Sequence, residues 1–132
     1  MTMDAFSDSL AQVLRDLIQH EPIFHRPEFG RTRRDFAALI VDDYWEVGAS
    51  GQRYSRDVVL DILERRHSVA AEDDWHTSEF EVTEIAANNY LLTYLLQQGE
   101  RWTRRATLWR RADARWQAVY HQGTLVAGES GI

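Results

Sequence analysis

The sequence predicts an α+β domain in which three N-terminal helices pack on one face of a curved antiparallel sheet. The predicted elements run in the order helix, helix, strand, helix and then four strands. The hydrophobic period changes from about 3.6 residues to about two residues near Glu79, which marks the change from helices to strands. Four consecutive strands with short turns form a meander, and helices on one face bury its apolar side.

Length and composition indicate one globular domain. A chain of 132 residues with 44% hydrophobic residues is long enough for one core, so we expect a single domain over residues 1–132. No apolar run is long enough to span a membrane. The first ten residues carry Asp4 and Asp8 without a basic cluster, which does not resemble a signal peptide. We therefore expect a cytoplasmic protein without a membrane partner.

The charged residues exclude several chemistries. The chain carries 15 basic and 21 acidic residues, a net charge of −6, which disfavours nucleic acid as a partner. All basic residues are arginines, so no lysine can form a Schiff base or hold pyridoxal phosphate. The absence of cysteine removes thiolate metal sites and disulfides. We expect no cofactor and no metal, and an arginine-only set is typical of a GC-rich bacterial genome.

Three helices precede the sheet. The first is predicted from an apolar stripe with helical spacing, formed by Phe6, Leu10, Val13, Leu14, Leu17 and Ile18. Pro22 ends that helix, and a second is predicted from Thr32 through Ile40. The third begins after an N-cap at Ser55 and carries its apolar stripe on Val59, Ile62 and Leu63.

Five strands are predicted from alternation and from turn residues. They cover residues 42–48, 80–85, 90–96, 102–111 and 115–122. Gly51 and Gly99 mark turns, as does Asp113, and we interpret Gly123 as a further turn glycine. Residues 67–78 are polar and acidic, which predicts a loop.

Three motifs in this order of elements resemble a known superfamily. They are Tyr-Trp-Glu-Val-Gly-Ala-Ser-Gly at 44–51, Arg-Ala-Thr-Leu-Trp-Arg-Arg at 105–111, and Trp116 followed by Tyr-His-Gln-Gly-Thr at 120–124. They resemble the nuclear-transport-factor-2-like superfamily, with its SnoaL-like cyclases and ketosteroid isomerases, and within it a branch of unknown function. The resemblance implies a cone-shaped fold, an interior cavity between sheet and helices, and a dimer through the outer sheet face.

Glu46 is the first candidate for a functional site. Because side chains alternate along a strand, Tyr44 and Glu46 share one face. A carboxylate among aromatic residues is costly to bury unless it is paired, and the planar guanidinium of Arg105 suits it. We therefore predict a hydrogen bond between Glu46 and Arg105, which either braces two strands or contacts a ligand.

His121 is the second candidate. It is the only histidine in a predicted strand, and its ordinary pKa suits a general acid or base, although a structural role is the alternative. Alternation divides the last strand into two sets, Trp116, Ala118 and Tyr120 against Gln117, Val119 and His121. It does not tell which set faces the cavity.

The predicted pocket combines aromatic walls with a few polar contacts. The walls are Tyr44, Trp109 and Tyr120, and the polar contacts are Glu46, Arg105, His121 and Gln122. This character suits a small, partly aromatic or cyclic ligand that is neutral or anionic. Glu21, at the end of the first helix, either points into the cone or lies paired on the surface.

Three functions agree with these observations. The leading hypothesis is a small-molecule-binding domain. The first alternative is a cofactor-free isomerase, cyclase, dehydratase or hydrolase, with His121 or Glu46 as the general base. The second alternative is an interaction module. In each case we expect a homodimer through the outer sheet face, where Trp102 and Leu95 are predicted to be exposed.

Overall fold

The structure is a computed structural model that describes residues 3–21, 32–67 and 75–127. Its elements are α1 (Met3–His20), α2 (Arg33–Ala37), β1 (Ile40–Val47), β2 (Arg53–Ser55), α3 (Arg56–His67), β3 (Trp75–Ala86), β4 (Asn89–Gln98), β5 (Arg101–Ala112) and β6 (Arg115–Leu125). This is the predicted α+β order with one additional short strand, β2. The predicted break at Pro22 lies outside the described residues.

The six strands form one sheet in the order β2-β1-β6-β5-β4-β3. Strands β3 to β6 form the predicted antiparallel meander. Strand β1 joins the sheet parallel to β6, and β2, α3 and β3 to β5 lie between them in the chain, which is long enough for a parallel connection. The sheet is curved and does not close, and its two end strands are β2 and β3.

The two faces of the sheet are defined by rows of paired residues. The face that packs on the helices, here called the inner face, carries the rows Tyr90–Trp109–Ala118, Leu92–Thr107–His121 and Tyr94–Arg105–Gly123. The opposite outer face carries Leu91–Leu108–Tyr120 and Thr93–Ala106–Gln122. Residues two apart along a strand therefore share a face, as strand geometry requires.

The hydrophobic core lies between the inner face and the helices. Val13 and Leu17 of α1, Phe36 of α2, and Val59 and Leu63 of α3 are buried. Where the structure describes their side chains, the apolar stripes predicted for the first and third helices are thus the surfaces that pack on the sheet. Three helices on one face of a curved sheet confirm the predicted fold class.

A β-bulge in β6 determines which of its residues face inward. Ala118 pairs with Trp109, but Tyr120, two residues later, pairs with Leu108, so Val119 is an additional residue. Trp116 and Ala118 are buried before the bulge, and His121 is buried after it. Both alternating sets therefore contribute residues to the inner face, at different ends of the strand.

Several predicted boundaries differ from the structure. The second helix ends at Ala37 rather than Ile40, because Ile40 and Val41 are β-branched and begin strand β1. Within the predicted 67–78 loop, β3 already begins at Trp75, while residues 68–74 lie outside the described part. Ser55 caps α3 as predicted, since its hydroxyl accepts the Val58 N–H at 3.4 Å.

The outer face is less exposed at one predicted position. Leu95, predicted to be exposed for a dimer contact, is buried, and Trp102 is half-buried. The exposed large apolar residues in the described chain include Trp45 on β1 and Ile85 on β3. Among the described helices, none is long and apolar enough to cross a membrane.

Candidate functional site

Glu21 follows the last turn of α1 and is buried at the centre of the inner face. Tyr94 Oη donates to its Oε2 at 2.6 Å, and Thr107 Oγ1 donates to the same oxygen at 2.7 Å. Trp109 Nε1 donates to Oε1 at 2.9 Å. Three donors from two neighbouring strands therefore bind one carboxylate, and of the two alternatives left open by the sequence Glu21 follows the inward one.

Burial dominates the titration of this carboxyl group. Removal from water raises the pKa of Glu21 from 4.5 to about 7, although its three hydrogen bonds and the charge of Arg105 oppose the rise. Burial also raises the pKa of Tyr94, and the nearby Glu21 charge adds to that rise. Glu21 is therefore a proton-binding group that titrates near neutral pH.

His121 lies beside this carboxylate and is buried. Its Nδ1 is 2.6 Å from Thr107 Oγ1 and 3.5 Å from Glu21 Oε2, so the threonine hydroxyl bridges the imidazole and the carboxylate. Its Nε2 is 3.4 Å from Arg105 Nη1. Glu21, Tyr94, Thr107, Trp109 and His121 are together called the carboxylate network.

Arg105 extends from the carboxylate network towards solvent. Its Nε donates to Thr103 Oγ1 at 3.0 Å, and the side chain is half-buried. A Cβ atom at Gly123 would lie 2.8 Å from Arg105 Nη1, so the absent side chain leaves the space that the guanidinium occupies. Gly123 lies inside strand β6 and not in a turn, which corrects the sequence interpretation.

The predicted hydrogen bond between Glu46 and Arg105 is wrong. Tyr44 Oη donates to Glu46 Oε1 at 2.6 Å, because the two residues are neighbours on one face of β1. The hydrogen bonds described for Arg105 go to Thr103 and His121 instead. Glu46 contributes to the electrostatic environment of Arg105 through its charge.

A cavity of about 250 Å³, here called the inner cavity, opens next to these groups. Its apolar wall comes from α3 and the start of β3, with Val59, Ile62, Leu63 and Trp75. Its charged lining consists of Glu46, Arg101 and Arg105. Glu46 and Arg105 thus line one cavity without a hydrogen bond between them.

Two predicted pocket residues lie on the other side of the sheet. Tyr120 and Gln122 are on the outer face, where Tyr120 Oη donates to the Gln122 side chain. They line an outer groove of about 480 Å³ together with Leu91, Leu108 and Arg104, among others. Tyr120 also contacts Trp45, with ring centroids 4.6 Å apart. Three further predicted pocket residues do not line the inner cavity, because they are buried: Tyr44, Trp109 and His121.

Two members of the site carry little signal in the sequence. Tyr94 is predicted only as part of the strand at 90–96, and nothing in the sequence singles out Arg101. The signal that could have found Tyr94 is its spacing from Tyr90 and Leu92, which places a hydroxyl on a buried face where it needs a partner. In the described chain, every buried side-chain nitrogen and oxygen has such a partner.

Comparisons with known proteins identify the fold. The chain matches no family model and no curated protein. A cystatin-like fold protein from Burkholderia xenovorans is similar in structure, with a TM-score of 0.69, 15% identity, and 92% of this chain and 95% of that chain covered. An NTF2-like protein of unknown function from Pseudomonas aeruginosa is also similar, with a TM-score of 0.65, 11% identity, and 86% of this chain and 97% of that chain covered. The chain has the nuclear-transport-factor-2-like fold.

A third solved structure with this fold carries a different description. It is a putative calcium/calmodulin-dependent kinase II association domain from Exiguobacterium sibiricum, with a TM-score of 0.66, 15% identity, and 90% of this chain and 95% of that chain covered. The TM-scores establish the nuclear-transport-factor-2-like fold, and identities this low leave activity to the residues of the site. No cluster of three or more potential metal ligands occurs among the described residues.

Proposed function

We propose that this domain binds a small organic anion in the inner cavity. The observation that carries the proposal is that Arg101 and Arg105 line one cavity beside an apolar wall. Guanidinium groups bind carboxylates through planar paired hydrogen bonds, and apolar walls favour the hydrocarbon part of the same ligand. Two guanidinium charges against the one carboxylate of Glu46 leave a positive balance, which suits a monoanion.

The size of the cavity limits the ligand. A volume of about 250 Å³ is at the small end for ligand sites, so a single ring with one carboxylate is a suitable probe. Trp75 offers an aromatic surface on which a flat ring can pack. Benzoate combines both properties, and benzamide and benzylamine are its neutral and cationic counterparts.

A thermal-shift experiment with these three compounds tests the proposal. Benzoate should raise the melting temperature in a concentration-dependent way, because a ligand that binds only the folded state stabilises it. Arg105→Gln should abolish the effect, whereas Arg104→Gln, which changes an exposed arginine on the outer face, should retain it. A larger effect of benzylamine, or no effect of any compound, would contradict anion binding.

A second candidate function is cofactor-free acid–base catalysis. It is favoured by the buried Glu21 carboxyl, whose pKa is raised to about 7, and by the hydrogen-bonded His121 imidazole next to it. A general base at His121, or at Glu46 in the cavity, should exchange the α-hydrogens of a cyclic ketone. Proton NMR of cyclohexanone in heavy water measures this exchange. If the wild-type protein exchanges the α-hydrogens no faster than the His121→Gln and Glu46→Gln variants, the catalytic candidate is ruled out.

We also propose that the outer face forms a homodimer in the cytoplasm. The support is an outer face with Trp45 37% exposed and with Tyr120, Leu91 and Leu108 half-buried. The neighbour described as a putative association domain agrees with a role in assembly. Light scattering at micromolar concentration should give twice the mass of the chain, and Leu108→Glu should give the monomer. A monomeric wild-type protein would contradict the dimer.

A further inference from the structure

A chain of hydrogen bonds links the inner cavity to the buried carboxylate. Arg105 Nη1 is 3.4 Å from His121 Nε2, and His121 Nδ1 is 2.6 Å from Thr107 Oγ1. Thr107 Oγ1 is in turn 2.7 Å from Glu21 Oε2. Arg105 lines the cavity, while the other three residues are buried. The chain therefore connects a ligand-facing group to a group that a ligand does not touch.

The single hydroxyl proton of Thr107 gives this chain a direction. The hydroxyl lies between Glu21 and His121 and can donate to only one of them. When Glu21 is ionised it only accepts, so Thr107 donates to Glu21 and accepts from His121 Nδ1–H. The neutral imidazole then carries a lone pair on Nε2, which accepts an N–H of Arg105. In this state His121 holds the guanidinium.

Protonation of Glu21 reverses the chain. Glu21 Oε1 accepts the N–H of Trp109, so the added proton belongs on Oε2, which faces Tyr94 and Thr107. The threonine hydroxyl is the better acceptor, because the lone pairs of a phenol are delocalised into its ring. Thr107 then donates to His121 Nδ1, which has lost its proton, while Nε2 has gained one, so the imidazole stays neutral and the net change is the one proton on Glu21. Two donors now face each other, and His121 no longer holds Arg105.

Glu21 is surrounded by other groups that titrate or carry charge. Among the described residues these are Tyr94 from β4, Arg105 from β5, His121 from β6, Tyr44 and Glu46 from β1, and His20 from α1. The tyrosines stay neutral, since burial raises the pKa of both. Because burial raises the pKa of Glu21 to about 7, its protonation changes within the physiological range.

We propose that the inner cavity binds a small carboxylate together with a proton, which Glu21 takes up while the Thr107–His121 pair releases Arg105 to the ligand. This inference rests on the proposed anion-binding function. Protonation also removes a negative charge near the ligand, so release of Arg105 and electrostatics act in the same direction. By thermodynamic linkage, the carboxylate must in turn increase the proton affinity of Glu21.

Calorimetric titration with benzoate measures the coupling. The affinity should fall about tenfold between about pH 6 and about pH 8, as expected for coupling of ordinary size. Titrations in buffers with different ionisation enthalpies should show net proton uptake near neutral pH. Glu21→Gln places an amide N–H where the protonated carboxyl donates, so this variant should bind tightly at both pH values without proton uptake. Glu81→Gln, an exposed change at the outer groove, should behave as the wild type.

Nitrogen NMR of the His121 ring tests the chain without any ligand. The proton should sit on Nδ1 at high pH and on Nε2 at low pH, and on Nε2 throughout in Glu21→Gln. Thr107→Val should remove the change of tautomer, and Thr107→Ser should restore it. A tautomer change without benzoate binding would support the chain and contradict the proposed function. Benzoate binding with equal affinity at both pH values and an unchanged tautomer would overturn the inference.

Discussion

The inner and outer faces of the sheet are built from alternate residues of the same strands, yet they are held in different ways. On the inner face, Tyr94, Thr107 and Trp109 direct their donors to one buried carboxylate. On the outer face, the rings of Trp45 and Tyr120 pack at an angle of 58° beside a groove, and Arg53 lies 4.4 Å from the ring centroid of Trp45. The polar groups of the inner face bind one buried carboxylate, whereas the outer-face side chains contact one another and solvent.

Because alternate residues of one strand lie on opposite faces, the same strands can stabilise the fold on the inner face and offer a binding surface on the outer face. A hydrogen bond to a buried charge is costly to lose, because its partner stays buried without compensation. A partly exposed aromatic pair can exchange its contacts for water or for another protein. Changes to the inner face should therefore lower the free energy of unfolding more than matched changes to the outer face.

The two tryptophans give the largest expected contrast. Trp109 is fully buried and donates to Glu21, whereas Trp45 is 37% exposed. Trp109→Ala should lower the free energy of unfolding by about 3–5 kcal/mol, and Trp45→Ala by about 1 kcal/mol. Urea unfolding measures both. Equal losses of unfolding free energy in the two variants would contradict the difference between the faces. A loss in Trp45→Ala that depends on protein concentration would show that this residue stabilises the dimer.

The pH dependence of stability is the next largest effect. Because the pKa of Glu21 is raised to about 7 from 4.5, the folded state binds this proton more tightly than the unfolded chain. The resulting stabilisation is fully present below pH 4.5 and is lost as the pH rises through 7. The loss amounts to roughly 3 kcal/mol.

Urea unfolding over this pH range, with wild type and two variants, isolates the contribution. Glu21→Gln removes the titrating group and should flatten the decline in stability between pH 4.5 and 7. Glu81→Gln, exposed on the outer side, should leave the decline unchanged. If stability declines with pH by the same amount in Glu21→Gln, the decline belongs to another titrating group.

The hydroxyls of Tyr94 and Tyr120 give a smaller contrast in stability between the inner and outer faces. Tyr94→Phe removes a donor to a buried carboxylate and should cost about 1–3 kcal/mol. Tyr120→Phe removes an exposed bond to Gln122 and should stay within about 0.5 kcal/mol. The Tyr94 hydrogen bond lowers the pKa of Glu21, so Tyr94→Phe should also shift the pH midpoint of stability upward. An unchanged midpoint would argue against that bond.

Gly123→Ala is expected to change ligand binding more than stability. The added methyl group meets the guanidinium of Arg105, which is the mobile end of a long side chain and can shift. The cost in stability should stay within about 1 kcal/mol, but the displaced guanidinium should weaken benzoate binding. Calorimetry measures the affinity for benzoate. If Gly123→Ala binds benzoate as tightly as the wild type, Arg105 does not bind the ligand from the position observed here.

Periodicity predicted most of the fold. The apolar stripes of α1 and α3 and the meander from β3 to β6 were predicted because their patterns extend over many residues. Strand β2 was missed because Arg53–Ser55 is too short to show alternation. The start of β3 was missed because its residues are mostly exposed and polar on both faces, so the pattern resembles a loop.

The site was predicted less completely, for reasons that lie in particular residues. The inward direction of His121 could not be derived, because the Val119 bulge changes the alternation within β6. The Glu46–Arg105 bond was predicted because a buried carboxylate needs a partner and a guanidinium suits it, but the Tyr44 hydroxyl on the same strand face donates to Glu46 instead. The position of Glu21 depends on where a helix end meets the sheet, which no local pattern encodes.

The space shared by Gly123 and Arg105 has a consequence for the evolution of this chain. A side chain at position 123 and a guanidinium lying across that position exclude each other, since their atoms would be under 3 Å apart. The two positions should therefore change together among relatives, with glycine where arginine is present and larger residues where it is lost. A relative that keeps the arginine opposite a bulky residue must place its guanidinium elsewhere, and with it the charge offered to a ligand.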